Sequence, residues 1–238
     1  MDLIKKNWDK ADYDEYRNYL LTFAKSDNDR MWSKRIAQTN YEMLAIPATI
    51  QVKIAKEIIK GNYQSFLNVL NVKFGEELLI AVRIVSLIKD FDEQKQSIVK
   101  LIPIMDSWEA TDTFKVKIKP KNTLTYFDFS LELLKSDLTF GRRLGAVLLL
   151  KLVGEIILTE KILKIIEENK DEKEYYVNMC YAWVICEAMV KQRDITIKFW
   201  QKAKFNQFVN NKAISKCNDS FRVSKSDKTL LKSLKITN

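Results

Sequence analysis

Apolar residues recur along this chain at intervals of three and four. Leu144, Val147, Leu148 and Leu152 make an i, i+3, i+4, i+8 stripe, and Val177, Tyr181, Val184 and Ile185 make another. That spacing places each set on one face of an α-helix. Segments 127–134 and 162–166 have the same amphipathic character. Strand-like alternation occurs mainly at Phe114-Lys-Val-Lys-Ile-Lys-Pro-Lys121. That stretch follows a helical pattern and runs into Pro120, so it reads as the end of a helix and a connector. The pattern predicts an all-α protein.

Similar helix openings return at a near-constant interval. They begin at Gly75, Trp108, Gly141 and Tyr176, spaced 33, 33 and 35 residues apart. A period of this length with amphipathic segments between the openings predicts helix-pair repeats of the HEAT or TPR kind. Such HEAT-like helical repeats stack into a curved α-α superhelix, a solenoid, whose concave face is a long binding surface. A plain helical bundle is the alternative. No linker rich in Gly, Ser or Pro interrupts the chain, so residues 1–238 are expected to form a single domain. Residues from about 223 to 238 are expected to fray.

Composition narrows the chemistry. Five Gly and three Pro in 238 residues supply few tight turns and argue against a β-sandwich or barrel. The chain has no His, which removes Ser-His-Asp and Cys-His catalysis, His-ligated zinc and a His general base. Cys180, Cys186 and Cys217 are an odd set, expected to be reduced thiols of a cytosolic protein. The N-terminal residues lack the sustained apolar core of a secretion signal, and no apolar run is long enough for a membrane span. No GxGxxG, Walker A or paired CxxC pattern is present.

The net charge is +9, and +7 of it lies beyond residue 200, where eight Lys and Arg222 face Asp219 and Asp227. A basic region of this kind suits a polyanion, nucleic acid first and an anionic membrane second. A solvated Lys-rich tail is the plainer account of the same residues.

Candidate site residues are few. Asp106 and Glu109 have capping-box spacing and place a helix N-terminus between them. Trp108 and Asp112 then lie one turn apart on the same face. A carboxylate near a helix start stays ionised, and an anion in a partly apolar slot can stabilise an oxocarbenium ion. A core or repeat-contact Trp108 with a solvated Asp112 is the alternative. Arg142 and Arg143 open a helix against its dipole, which implies a partner for them, either a phosphate or an internal carboxylate. Trp183 lies seven residues after Tyr176 and on the same helical face. Aromatics interleaved with cations can bind nucleic-acid backbones and bases.

Taken together, Ser107-Trp-Glu-Ala-Thr-Asp112, Asp137-Leu-Thr-Phe-Gly-Arg-Arg143-Leu-Gly-Ala-Val and Tyr175-Tyr-Val-Asn-Met-Cys-Tyr-Ala-Trp183-Val-Ile-Cys-Glu resemble the AlkD-like DNA alkylation repair family of HEAT-repeat glycosylases. Lys212-Ala-Ile-Ser-Lys216 resembles the family's C-terminal helix, and Tyr41–Pro47 its Gly-Ile/Val turn. Glu109 stands where the family often has Asp, and Arg142 makes the position before the central Arg basic. The resemblance implies removal of N3- and N7-alkylpurines from duplex DNA, without metal, cofactor or the base flipping most glycosylases use. It assigns Trp108 and Trp183 to the deoxyribose and backbone beside the lesion. It assigns Asp112 to the oxocarbenium-like sugar and the attacking water. Arg143 would hold a phosphate, with Arg142, Lys212 and Lys216 on the DNA-binding surface. A cationic base is already a good leaving group, so the absence of His is no handicap.

The expected partner is therefore double-stranded DNA with alkylated bases, bound by a cytoplasmic, nucleoid-associated monomer with no metal and no membrane role. Two other classes stay open: a non-catalytic HEAT-like DNA-binding or scaffold protein, and a helical-repeat protein that binds another protein.

Overall fold

The computed structural model describes residues 1–237, and among them it contains fourteen α-helices and no β-strand. The sole extended pairing recorded is an isolated parallel bridge between Glu42 and Phe74. The chain gathers into two compact units, Met1–Lys117 and Ile118 onward.

The first unit holds α1 (Lys10–Leu21), α2 (Asp27–Ala37), α3 (Ala48–Ile58), α4 (Tyr63–Asn68), α5 (Gly75–Leu87), α6 (Phe91–Leu101) and α7 (Trp108–Thr113). Its centre is α5, in which every residue from Gly75 to Val82 is buried, as are Ile84 and Val85. A helix without a polar face must be covered on all sides, and α3, α6 and α7 pack around it. Trp8, Tyr16 and Phe66 meet edge to face, 5.0–6.1 Å between centroids, and fix the N-terminal arm to α1 and α4.

The second unit holds α8 (Thr123–Leu134), α9 (Thr139–Leu152), α10 (Ile156–Glu168), α11 (Tyr175–Lys191), α12 (Arg193–Trp200), α13 (Gln207–Asp219) and α14 (Lys225–Lys232). Helices α9, α11 and α13 lie side by side as one layer, while α10 packs on α12. Leu144, Val147, Leu148 and Leu152 are buried on α9, and Val177, Tyr181, Val184 and Ile185 on α11, as their spacing predicts. The helices of one series begin at 75, 108, 139, 175 and 207, and those of the other at 91, 123, 156, 193 and 225. Both series keep a period near 33 residues, the arithmetic of a helical-repeat protein.

Three local expectations change. The capping box at Asp106 does not form: Ser107 is the N-cap of α7 and makes no side-chain cap bond. The Asp106 carboxylate instead accepts from Thr39 Oγ1 at 2.7 Å and from Asn40 N at 2.7 Å, tying α7 to the end of α2. The stretch from Phe114 is connector throughout, because α7 ends at Thr113, and Pro120 opens a 3-10 turn. Residues 223–237 are not frayed. Ser224 caps α14, and Asp227 accepts from the Arg193 guanidinium at 2.6–3.0 Å. Asn210 Nδ2 donates to Leu234 O, and Asn211 and Ile236 exchange two bonds. Asn238 lies outside the described residues. The turn at Tyr41–Pro47 places Ala45 in the left-handed region, φ 58°, a conformation glycine adopts without steric cost.

The close approach of α8 and α9 depends on Gly145. A Cβ there would stand 2.8 Å from Ser130 O and 3.0 Å from Leu134 N, both backbone atoms of α8. Gly145→Ala must push the helices apart, and we expect a loss of about 1–3 kcal/mol, read as a lower denaturation midpoint at unchanged m-value. An unchanged midpoint would show that α8 moves away freely.

Candidate nucleic-acid interface

The predicted site residues are divided between the units. Trp108 and Asp112 belong to the first; Arg142, Arg143, Trp183, Lys212 and Lys216 belong to the second.

In the first unit, α7 is a six-residue helix whose Ala110, Thr111 and Thr113 face inward. Trp108 and Asp112 share its outer side and are half-buried. The Trp108 indole is fixed in place, since its Nε1 donates to Ile36 O at 3.1 Å. Thr111 Oγ1 contacts Asp112 Oδ1 at 3.3 Å. Behind this helix lies a set of charges that sequence reasoning missed. Glu76 accepts from Leu44 N and Ile46 N at 3.0–3.1 Å and is buried at the N-terminal end of α5. That end of a helix favours an anion, yet burial raises the Glu76 pKa. Glu77 beside it accepts from Lys73 N and Phe74 N and pairs with Arg17 at 2.9 Å. Burial likewise raises the Glu109 pKa, as do the charges of Glu76 and Asp112, while Arg83 opposes the shift. Arg83 is itself oriented by Gln51 Oε1 at 3.2 Å. Asp112 thus lies beside Glu109, which is half-buried with Arg83 next to the buried Glu76, and one turn from a hydrogen-bonded indole.

In the second unit the candidates lie on or beside α11. Ten of the seventeen residues of this helix are buried, and the exposed or half-buried positions are Tyr175, Tyr176, Met179, Trp183, Glu187, Val190 and Lys191. From Tyr176 to Val190 their spacing is three and four, a single stripe, and it carries Tyr176 and Trp183 outward. The stripe on α13 is Phe208, Lys212 and Lys216, at i, i+4 and i+8. The α13 stripe meets α11 at two points: the Tyr175 and Phe208 rings are 5.8 Å apart, and Lys216 Nζ sits 5.8 Å from the Trp183 ring centroid. Phe140 of α9 extends the aromatic row to Tyr176 at 5.8 Å. Rings with cations beside them are chemically suited to contact bases and phosphates.

The two arginines divide. Arg143 is buried, donates to Tyr176 O at 2.6 Å and lies 6.0 Å from the Tyr176 ring. Arg142 turns the other way and pairs with Glu172 at 2.7 Å, also donating to Ser136 O and Asp137 O. Of the two partners the sequence offered for Arg142, the internal carboxylate is the one present. Lys212 lines an open cleft with Phe208, Asn211 and Lys235. The three cysteines are free thiols, all buried. Among the described residues no His/Cys/Asp/Glu group could hold a metal ion, and no helix is long and apolar enough to cross a membrane.

These features define an all-helical repeat protein with a carboxylate–indole pair in one unit and an aromatic, cationic helix face in the other. The family model described as DNA alkylation repair enzyme matches residues 33–217, and the chain belongs to that family. It is accordingly a DNA alkylation repair protein whose substrate is DNA. Among curated proteins, none matches the chain.

Two titrations test this geometry. Glu172 is held below its ordinary carboxylate value near 4.5 by Arg142 and by the amides of Lys173 and Glu174, against the opposing effect of burial. Its contribution to stability is present above the unfolded pKa and is lost as pH falls through the lower folded value. Arg142→Ala should cost about 3 kcal/mol near neutral pH and remove that acid-side dependence; a variant as stable as wild type would show the pair is dispensable. Glu109 behaves oppositely. Its raised pKa means that ionisation opposes folding above its unfolded value near 4.5. Glu109→Gln should melt higher than wild type near neutral pH, with the gap closing as pH falls below that value. A Gln variant that melts lower near neutral pH would mean that the Arg83 attraction prevails.

Proposed function

We propose that the protein is an AlkD-like DNA glycosylase that hydrolyses the N-glycosidic bond of cationic N3- and N7-alkylpurines in duplex DNA. The observation that carries this reading is the pairing of Trp108 with Asp112 on one short helix, inside the matched segment of a DNA alkylation repair protein.

The chemistry needs little from the protein. An alkylpurine of this kind carries a positive charge on the base. As the C1′–N bond breaks, the bonding pair moves to the base, which leaves neutral, and positive charge develops on the sugar. A fixed carboxylate near C1′ stabilises that charge more in the transition state than in the ground state. Asp112 has this role, and it also orients the water whose oxygen bonds to C1′ and whose proton is released. The Trp108 ring, held by Ile36 O, packs against the deoxyribose. In the second unit Trp183, with Lys216 beside it, contacts the backbone. Arg143 supports that surface through Tyr176, and Lys212 adds charge towards phosphate. Because the leaving group is already cationic, no general acid and no cofactor is required.

The test is base release from methylated duplex DNA, with wild type set against Asp112→Asn. Asn preserves size and removes the charge. Wild type should release N7-methylguanine or N3-methyladenine, and the variant should be slower by about 10²–10³-fold. If wild type in excess binds the duplex yet releases nothing, the reading fails and a non-catalytic DNA-binding member of the family takes its place.

A further inference from the structure

The family match ends at residue 217, whereas the ordered chain continues through α14 to residue 237. The continuation is anchored at both ends. Asp227, buried on α14, takes three bonds from Arg193. At the far end Asn211 Nδ2 donates to Ile236 O at 2.9 Å and Ile236 N donates to Asn211 Oδ1 at 3.0 Å. Asn210, which also accepts from Trp200 Nε1, holds Leu234 O. The bonds hold Leu234 and Ile236 on either side of Lys235, which lines an open cleft of about 560 Å³ with Gln207, Phe208, Asn211 and Lys212. Two lysines and an aromatic residue thus line one cleft, with no acidic residue in the lining among the described residues. The cleft continues the Phe208–Lys212–Lys216 stripe, so it adjoins the face that meets Trp183 and Tyr175.

We propose that this cleft is a binding site for the phosphodiester backbone of duplex DNA, with Lys212 and Lys235 as its cations and Asn211 as the positioning residue that holds Lys235 there. The occupant follows from the chemistry. Two lysines with no acidic residue among the described lining suit a phosphate, and a row of cations beside exposed rings suits a strand of them. The C-terminal segment therefore lengthens the DNA footprint beyond the family-matched region. This inference rests on the DNA-binding part of the proposed function.

The experiment measures duplex affinity by fluorescence anisotropy between about 50 and 200 mM salt. It compares wild type, Lys235→Gln, Asn211→Ala, Lys216→Gln and Lys161→Gln, the last removing an exposed charge on α10. If the site is real, Lys235→Gln lowers the slope of log K against log salt by about 1, the loss of one phosphate contact. Asn211→Ala lowers it similarly although Lys235 is retained, and Lys161→Gln leaves it unchanged. If Lys235→Gln and Asn211→Ala keep the wild-type slope while Lys216→Gln lowers it, the cleft is overturned and the α11–α13 face stands. Wild type that binds no duplex at all overturns the proposed function, and the cleft with it.

Discussion

Each unit of this protein is organised by one constraint: a central helix with scarcely any polar face has to be covered. In the first unit this is α5, buried from Gly75 to Val82, and in the second it is α11, with ten of its seventeen residues buried. Burial of such helices is the main favourable term in folding an all-α chain, at roughly 25 cal/mol per Å² of apolar surface. The neighbouring helices supply the cover. Where cover is missing, the uncovered residues are informative. On α11 they include Trp183, a large side chain that is exposed, and the half-buried Tyr176 and Met179. An exposed apolar stripe of this kind suits the ligand face of the proposed function.

The same constraint explains the buried charges of the first unit. Covering α5 to its first turn also encloses Glu76 and Glu77. Each is then satisfied by backbone amides, those of Leu44 and Ile46 for one and of Lys73 and Phe74 for the other. These carboxylates pin the loops that lead into the helix. Burial is the larger cause of the raised Glu109 pKa, and Glu76 adds to it by crowding negative charge towards α7. In the proposed reaction that crowding acts in the useful direction, because a positive charge develops on the sugar and a preorganised negative field favours it.

Much of the fold was legible in the sequence, because helical periodicity and repeat period are properties of the chain alone. The openings at Gly75 and Trp108 coincide with the starts of α5 and α7, and those at Gly141 and Tyr176 fall within two residues of α9 and α11. What could not be read was set by partners distant in sequence. Asp106 and Glu109 had capping-box spacing, but Thr39 and Asn40 capture Asp106 from more than sixty residues away. Arg142 and Arg143 are adjacent and look equivalent, yet helical geometry turns one towards Glu172 and the other towards Tyr176. The segment after residue 223 has the Lys-rich composition of a solvated tail. Composition does not reveal that Asp227 meets Arg193, or that Asn211 meets Ile236.

That last case alters how the positive charge is understood. A net +7 beyond residue 200 on a loose tail would give diffuse attraction to any polyanion. On an anchored α14 and the turn after it, the +3 of Lys225, Lys228, Lys232 and Lys235 against Asp227 has fixed positions relative to α13, and a fixed array can select a spacing as well as a sign. Ordering a lysine in advance also removes entropy that binding would otherwise have to supply. The two asparagines at 210 and 211, each bonded to the C-terminal segment, are thus as much a part of the charge pattern as the lysines they hold in place.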